Sequence, residues 1–463
     1  MTLPTWIDKF KQPGTQIVNI NGNYYRYKIK SVYDPKKGRA KKITEEYLGK
    51  ITKEGLIKPK RTQKIIRTVC EYGNAKLLYD LSADLIPGLK EAFPSNYNDI
   101  LAAAIIRTIQ PTPLKWMKSA WEKLYLSKEI DANLSPNVIS DVIHQVGSDW
   151  RSQKLFFDKL LIENKYLVFD LSSIFSYSEN IRLAEKGHNS EHFFIPQINF
   201  ALFFSSKKKL PVMLKPVPGS VRDIKSLINI LDETELSYTV VVVMDRGFSS
   251  YKIAKELNQK QINFIFPLRR NFEIINYTVK PRGSFLYRDR GINYVKYKTE
   301  DNFIYVFEDT KLRYEEETTF IKLIKDHKRK YVDKEIELKK FGKIALLSNI
   351  NTNCEKIYLL WKEREEVEIA FDAMKNELDN DKIYLQDDDA VRGYFFISFI
   401  SLYLYYKVLQ ILRDKKMIGK VSVKELLFEL SRLYAYYYDD GMKLGVIPAK
   451  VERLNNKLDL HIT

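Results

Sequence analysis

The sequence predicts an α/β protein built on a mixed β-sheet, with helical regions before and after the segment that forms the sheet. Apolar runs such as YLVFD, ending at Asp170, and TVVVVMD, ending at Asp245, have the length of buried strands and lie between turn residues. Amphipathic stretches with helical spacing, DIKSLINILDE and SSYKIAKEL, alternate with the later runs. This alternation is typical of helices that cover a sheet.

The composition indicates a globular protein with an unusual charge. The 463 residues suffice for two or three domains, and 45% of them are hydrophobic and 29% charged. A net charge of +17 favours an anionic partner, of which nucleic acid is the commonest. A merely basic, soluble protein from an AT-rich genome would show the same excess of lysine, so the charge alone does not decide.

The cysteines and apolar stretches indicate a soluble, cytoplasmic protein without a membrane partner. Cys70 and Cys354 lie far apart and provide neither a zinc site nor a disulfide framework, so a reducing compartment is expected. The first residues, MTLPTWIDKFKQPG, lack the apolar segment of a signal peptide. The most apolar stretch, Phe395–Tyr406, is shorter than the ~18–20 residues that span a bilayer and is predicted to be a buried core helix.

The chain before the sheet divides into two regions. In residues 1–77, period-two alternation on both sides of Asn21 and Gly22 predicts a β-hairpin, and basic clusters follow at 36–42 and 58–67. These cations could contact phosphates, although a solvated hairpin rim explains them almost equally well. Residues 78–161 have helical spacing and are a candidate for DNA binding. Ser135 followed by Pro136 predicts a helix start there.

Three further regions complete the predicted organisation. Residues 162–270 are expected to form the first part of the sheet, and 271–341 a β-rich insertion with the runs FEIINYTV, SFLYRDRG, INYVKYKT and NFIYVFED. Residues 342–463 return to the sheet with ALLSNI and continue into a long helix. Two more helices are predicted, from Val391 and from Val423.

The long helix, WKEREEVEIAFDAMK at 361–375, carries four side chains of functional type on one side. At ~100° per residue, the four fall within roughly 60° of one another beside the apolar face: Trp361, Arg364, Glu368 and Lys375. A carboxylate flanked by two cations at the edge of a core suits a site that handles metal and phosphate. The alternative is a structural i,i+4 ion pair between Arg364 and Glu368, worth ~0.3–0.5 kcal/mol on an exposed helix.

Two aspartates complete a set of carboxylates. Asp170 lies within one apolar run and Asp245 ends another, and buried carboxylates need partners because isolated burial costs several kcal/mol. Each could instead cap a following turn. Ligand sites, however, concentrate at strand ends in open α/β sheets. Together with Glu368, the aspartates could hold two hard divalent cations such as Mg²⁺. No His or Cys cluster supports zinc or iron, and the pair His188 and His192 has no apparent third ligand.

The order and spacing of these motifs resemble those of bacterial DDE transposases of the insertion-sequence-four type. The family's signature helix is Y-x2-R-x3-E-x6-K, and it is matched at 361–375 with Trp361 in place of Tyr. FDLSSI resembles the first-aspartate strand, with Ser172 in place of Thr, and MDRGF resembles the second-aspartate motif. GHNSEHFFIPQINFAL, PVMLKPVPGSVRD and VRGYFFISFISLYL resemble neighbouring segments, so the similarity extends over most of the chain.

The resemblance implies an RNase H-like catalytic core interrupted by the β-rich insertion, with an N-terminal β-hairpin plus helical region and a C-terminal helical segment. It implies that Asp170, Asp245 and Glu368 are the catalytic, metal-binding residues for two Mg²⁺ ions, which Mn²⁺ can replace. Such enzymes cleave DNA at the terminal inverted repeats of their element and use the freed 3′-OH to attack target DNA. Contacts to DNA are expected from four residues: Arg364, Lys375, Trp361 and Arg246.

The same resemblance implies a homodimer on DNA and a bacterial or archaeal, nucleoid-associated location. Two alternatives stay open, a domesticated descendant that binds DNA without cutting it and a metal-dependent nuclease without strand transfer. Some relatives pass through a DNA hairpin, aided by an aromatic residue of the insertion. This insertion contains no Trp, and Tyr287, Tyr294 or Tyr297 could substitute, so the hairpin step also stays open.

Overall fold

The fold is taken from a computed structural model of the whole chain. It describes residues 3–34, 39–59, 66–162, 164, 166–187, 195–220, 228–230, 233, 241–246, 250–328, 337–380 and 385–463. The chain divides into two compact units. The first is Met1–Arg67 with Tyr437–Gly441, and the second is Thr68–Tyr436 with Met442–Thr463. The organisation into five regions stays a prediction.

The first unit contains a four-stranded antiparallel sheet in the order β1-β2-β3-β4. Its strands are β1 (Thr15–Ile20), β2 (Asn23–Asp34), β3 (Arg39–Ile51) and β4 (Leu56–Ile57). The predicted hairpin turn is confirmed between β1 and β2. Asn21 and Gly22 have φ values of 48° and 79°, the left-handed conformation that a two-residue type I′ turn requires.

The second unit begins with a short strand and the predicted helical region. These elements are β5 (Thr68–Glu71), α1 (Gly73–Leu81), α2 (Ile86–Ala92), α3 (Tyr97–Ile109), α4 (Met117–Glu122), α5 (Pro136–Ser148) and α6 (Trp150–Leu161). α5 begins at Pro136 with Ser135 as its N-cap residue, as predicted.

The central sheet has ten strands among the described residues, in the order β12-β13-β14-β15-β11-β10-β6-β8-β7 with β9 beside β8. The first elements of this region are β6 (Tyr166–Phe175), β7 (Glu185–Lys186), β8 (Pro196–Ser205), β9 (Leu210–Pro218), β10 (Val241–Val243), α7 (Tyr251–Gln259) and β11 (Asn263–Pro267). β6, β8 and β9 are antiparallel neighbours, whereas β10 is parallel to both β6 and β11. The strand order β9-β8-β6-β10-β11 is that of an RNase H-like core, which confirms the predicted fold class.

The inserted strands extend this sheet and do not form one of their own. They are β12 (Gly283–Tyr287), β13 (Arg290–Lys298) and β14 (Phe303–Asp309), followed by α8 (Thr310–Lys325) and β15 (Lys343–Ser348). β14 pairs with β15, and β15 pairs with β11, both antiparallel. A continuous hydrogen-bonded ladder therefore joins the insertion to the core.

Two expectations for the insertion were wrong. The run FEIINYTV forms turns in place of a strand, because the Asn276 side chain accepts hydrogen bonds from the Thr278 backbone N–H (3.0 Å) and hydroxyl (2.7 Å). Such a local contact competes with ladder pairing. The helix α8 was not anticipated. Its N-cap residue, Asp309, accepts from the backbone N–H groups of Lys311 and Leu312, both at 3.0 Å.

The C-terminal part carries the signature residues on a broken helix, where one continuous helix was expected. Its elements are α9 (Cys354–Lys362), α10 (Arg364–Asp372), a π-helical turn (Ala373–Glu377), α11 (Asp388–Asp414), α12 (Val423–Leu430), β16 (Tyr434–Tyr438), β17 (Gly441–Leu444) and α13 (Ala449–Leu458). α9 and α10 are separated at Glu363. The helix predicted from Val391 begins earlier, at Asp388, and the helix from Val423 is confirmed.

α11 forms the centre of the second unit. Its 27 residues are long and apolar enough to cross a membrane by length and composition, but 72% of its most apolar window is buried within the protein. It packs against α3, α5 and β9, which confirms the predicted core helix. At the crossing with α5 the two backbones are in contact, because a Cβ atom on Gly393 would lie 1.8 Å from the carbonyl oxygen of Ile143.

Candidate active site

Three elements bring the predicted carboxylates together. Asp170 lies in the middle of β6, the strand between β8 and β10. In the parallel pairing of β10 with β6, Val243 lies opposite Val168. Asp245 follows two residues after Val243, just beyond the end of β10, and its charge acts on Asp170. α10 packs against β6 and supplies the third carboxylate, Glu368.

The Arg364 guanidinium joins two of these carboxylates. Its Nη1 lies 3.0 Å from Oδ1 of Asp245 and 2.8 Å from Oε1 of Glu368. The Arg364 side chain is 21% exposed, whereas those of Asp245 and Glu368 are 38% and 52% exposed. The i,i+4 ion pair expected within the helix is present. The same Arg364 side chain also contacts Asp245, just beyond β10. The arginine is therefore part of the acidic site and not only of its own helix.

The pKa of Asp170 reflects its burial and the charges of its neighbours. The pKa of Asp170 is raised to about 7, chiefly by burial and in smaller part by the negative charges of Asp245 and Glu368. The backbone N–H of Leu171, 2.9 Å from Oδ1, and the positive charge of Arg364 act in the opposite direction. The net direction is upward because burial outweighs these two favourable contacts.

The donor set suits a hard divalent cation. Three carboxylates offer only oxygen ligands, which Mg²⁺ and Mn²⁺ prefer. A cation beside Asp170 would favour the ionised form of this carboxyl, which burial disfavours. Among the described residues, however, no group of three or more His, Cys, Asp or Glu side chains is close enough to hold a metal ion. Arg364 occupies the space between Asp245 and Glu368, so the carboxylates must rearrange to bind one.

Trp361 lies in the last turn of α9. Its side chain is only 8% exposed and makes an edge-to-face contact with Tyr358, with 5.6 Å between ring centroids. The indole N–H has no hydrogen-bond partner within the described part of the chain. This burial favours packing at the helix edge over stacking on a base, and the expected contact between Trp361 and DNA stays a prediction.

The other two predicted contact residues take different positions. Arg246 directly follows Asp245 and is exposed. Lys375 is half-buried in the π-helical turn, which is wound more loosely than an α-helix. The 100° spacing that aligned Lys375 with Glu368 therefore does not hold beyond Asp372. Contacts of Lys375 and Arg246 with DNA stay predictions.

Sequence reasoning missed Arg107, which fixes the chain just after this turn. Arg107 lies on α3 and is 2% exposed; its Nη2 donates to the Leu378 carbonyl oxygen (3.1 Å) and to Oδ1 of Asn380 (2.6 Å). Asn380 in turn donates to the Met374 carbonyl oxygen at 3.1 Å. The only available signal was a single arginine inside the apolar run DILAAAIIRTI, which does not reveal its partners.

The insertion also reaches the signature helices. Its β12–β13 turn contains Arg288, whose Nη1 lies 3.0 Å from Oε2 of Glu365. Lys362 contacts the other oxygen of the same carboxylate, also at 3.0 Å. Tyr287 packs edge-on against Tyr358, with 5.3 Å between centroids. The insertion therefore packs beside Arg364 through contacts that no local sequence pattern predicts.

Several predicted features lie outside the described residues. They are the pair His188 and His192, residues 36–38 and 60–65 of the basic clusters, most of the helix at DIKSLINILDE, and the last two residues of the MDRGF motif.

The fold and the site together define an RNase H-like α/β protein with an acidic centre over its central strands. The family described as "Transposase DDE domain" matches residues 172–404, half of the chain, and the chain belongs to this family. The match includes Asp245, Arg364, Glu368 and Lys375, and it begins two residues after Asp170. Membership of the insertion-sequence-four type stays a prediction.

The solved structures with a similar fold include a transposase complex with DNA. It is the cryo-EM structure of the piggyBac transposase synaptic complex with hairpin DNA, with 12% sequence identity and a TM-score of 0.41. The similarity covers 77% of this chain and 78% of that one. A likeness this distant adds no argument about function. No curated protein sequence matches the chain.

Proposed function

We propose that this protein is a DNA transposase that cuts the terminal inverted repeats of its own insertion sequence and joins the freed 3′-OH to target DNA. One observation carries the proposal. In a member of the DDE transposase family, Asp245 and Glu368 share the Arg364 guanidinium, and both charges raise the pKa of Asp170. These contacts support a common site for the three carboxylates, which must still move closer together to hold a metal ion.

The three carboxylates would hold Mg²⁺, or Mn²⁺ in its place. Divalent ions bound there would supply the activation of an attacking oxygen and the stabilisation of the leaving oxygen of a phosphodiester. The protein contributes their position: β6 supplies Asp170, the end of β10 supplies Asp245 and α10 supplies Glu368. Strands and a helix packed on one core hold such groups more firmly than loops do.

Arg364 is proposed to orient both carboxylates and to contact the DNA phosphate. Both of its contacts to carboxylates use Nη1, whereas a guanidinium carries five N–H donors in a fixed fork. The same side chain can therefore hold Asp245 and Glu368 and donate to a phosphate oxygen. Lys375, Arg246 and Trp361 are proposed as further DNA contacts. A homodimer that bridges two element ends, in the cytoplasm, completes the proposal.

Glu368→Gln tests the proposal, with Glu365→Gln as the matched control. Both changes remove one carboxylate from α10, but Glu365 pairs with Lys362 and Arg288 and lies outside the acidic centre. On DNA that carries the gene's own flanking ends, Glu368→Gln should abolish Mg²⁺-dependent cleavage and leave DNA binding intact. Glu365→Gln should cut at a rate close to wild type.

Other outcomes identify the alternatives. Cleavage by Glu368→Gln near the wild-type rate would remove Glu368 from the site. Wild-type protein that cuts the ends but never joins them to a target plasmid would be a nuclease without strand transfer. Wild-type protein that binds the ends but does not cut them, whichever divalent metal is added, would be a domesticated DNA-binding protein.

A further inference from the structure

The positive charge of the chain is concentrated at its N-terminus. Residues 1–67 contain seventeen Lys and Arg against five Asp and Glu, a net +12 of the total +17. These residues form the first structural unit together with Tyr437–Gly441, whose two aspartates lower the net charge of the unit to +10. The unit contains the four-stranded sheet. A small sheet with this excess of cations is suited to an anionic partner.

Part of this unit is a two-stranded ribbon that is open to solvent on both faces. β2 and β3 continue pairing from Lys30 opposite Ile43, through Tyr33 opposite Ala40, to Asp34 opposite Arg39. All side chains of 30–33 and 40–43, here called the arm, are exposed. The arm thus carries no core on either face, and a two-stranded ribbon by itself is only marginally stable in water.

Both faces of the arm combine cations with apolar side chains. Residues opposite each other in an antiparallel pair share a face. Lys30 and Ile43 therefore lie on one face with Val32 and Lys41, whereas Lys42 lies on the other with Ser31 and Tyr33. Val32, Tyr33 and Ile43 are 41%, 66% and 45% exposed.

The arm's lysines are not neutralised by neighbouring acids. Within the described part of the chain, no ion pair involves Lys30, Lys41 or Lys42, whereas Lys28, just before the arm, pairs with Glu45 at 3.5 Å. The arm itself carries three lysines and no acidic residue; beyond it Asp34 lies opposite Arg39, and toward its base Lys28 lies opposite Glu46. The charge that faces solvent along the arm is positive on both sides.

We propose that the arm binds duplex DNA by insertion into the major groove. This proposal rests on the proposed DNA transposase function. The major groove admits a two-stranded β-ribbon, and strands ~4.8 Å apart fit within its width of ~12 Å. Cations on both faces then reach the phosphate rows that border the groove. Tyr33, with Val32 and Ile43, presents apolar surface to base edges such as the thymine methyl group.

The test is the salt dependence of DNA binding by the full-length protein. The arm variant is Lys30→Gln/Lys41→Gln/Lys42→Gln. The matched control is Lys9→Gln/Lys53→Gln/Lys58→Gln, three exposed lysines of the same unit outside the arm. Fluorescence anisotropy with a labelled duplex gives the slope of log K against log[NaCl]. Each phosphate contact contributes about 0.9 to this slope, so the arm variant should lose about 2 to 3 and the control less than 1.

Groove insertion is tested with a labelled single strand of the same length. The arm variant should lose more affinity for the duplex than for the single strand, because only the duplex has a groove. Tyr33→Ser, which keeps every charge, should weaken duplex binding without changing the slope. Equal thermal unfolding midpoints for all variants confirm that the exposed substitutions leave the fold intact.

The outcomes separate the arm from the proposed function. If the arm variant has the wild-type slope and the wild-type protein cuts DNA, the proposed role of the arm is wrong and the transposase function still holds. Equal losses on duplex and single strand would overturn groove insertion. If the arm variant has a shallower salt dependence but the wild-type protein never cuts DNA, the DNA-binding role of the arm is supported and the transposase function is contradicted. Binding to anionic vesicles in place of DNA would overturn both.

Discussion

Nη1 of Arg364 lies 3.0 Å from Oδ1 of Asp245, although the whole insertion separates the two residues along the chain. The contact joins the first residue of α10 to the chain just beyond β10. The same nitrogen lies 2.8 Å from Glu368, so a single guanidinium fixes the distance between two elements that each carry a carboxylate. The precision of the acidic centre therefore depends on a charged bridge as well as on core packing.

Arg364→Lys should slow DNA cleavage roughly tenfold to hundredfold. An ammonium keeps the charge but cannot reach both carboxylates with the geometry of a guanidinium, and hydrogen bonds to charged groups contribute ~1.5–3 kcal/mol. Cleavage rates at saturating Mg²⁺ provide the measurement. Arg288→Lys, at the exposed Glu365 pair, is the control and should change the rate less than about threefold, since exposed pairs contribute ~0–1 kcal/mol. An Arg364→Lys variant as fast as wild type would show that the bridge is dispensable.

Asp170→Asn should stabilise the metal-free protein. The folded pKa of Asp170 is raised to about 7, so at pH 8 the charged form destabilises the fold, and an amide removes that charge while its oxygen still accepts from Leu171. We expect the thermal midpoint in EDTA at pH 8 to rise on the order of 2 °C. Mg²⁺ should then raise the midpoint of wild type and leave that of the variant unchanged. A less stable variant in EDTA would contradict this account of the site.

Gly393→Ala should destabilise the second unit by about 1–3 kcal/mol or more, because overpacking a tight contact forces backbones apart. The added Cβ would lie 1.8 Å from the carbonyl oxygen of Ile143, where α11 crosses α5. Gly291→Ala is the control, since its Cβ would meet nothing closer than Oγ1 of Thr310 at 3.4 Å. The free energy of unfolding in urea measures both. Equal effects of the two changes would contradict the close crossing.

The ion pair between His144 and Asp387 should stabilise the protein more at low pH. Nδ1 of His144 lies 2.7 Å from the Ser140 carbonyl oxygen and Nε2 lies 2.8 Å from Oδ2 of Asp387, and these two contacts raise the pKa of the imidazole. A histidine whose pKa is raised by folding stabilises the folded state fully at pH values below the unfolded pKa of ~6.5. This stabilisation is lost as the pH rises through the pKa of the folded state.

His144→Gln measures this contribution. Both side chains are about half exposed, so the loss in the free energy of unfolding should stay below about 1 kcal/mol. It should be larger at pH 5.5 than at pH 8.5. A loss that does not change with pH would assign the effect to packing.

The strands and the carboxylates could be predicted because each leaves a local signal. Buried strands appear as continuous apolar runs, and Asp170 and Asp245 stand out because they interrupt or end such runs. Arg364 and Glu368 are one helical turn apart, so spacing alone predicts their contact.

The features that sequence could not give depend on distant partners or on small energy differences. Arg107 contacts residues about 270 positions away, and Arg288 reaches Glu365 across the insertion, so neither contact leaves a periodic pattern. The π-helical turn moves Lys375 away from its expected alignment without any proline or glycine to mark it. FEIINYTV has the composition of a strand, but the Asn276 side chain stabilises a turn there.

The most direct test of the central claim is a cleavage assay on DNA carrying the gene's own flanking ends, comparing wild type with Asp245→Asn in Mg²⁺ and in EDTA. The account predicts cuts at the element ends by wild type in Mg²⁺, with none in EDTA and none by the variant. Cleavage by Asp245→Asn at the wild-type rate would contradict the acidic centre. Stable binding of the ends by wild type without cleavage in any divalent metal would contradict the transposase itself.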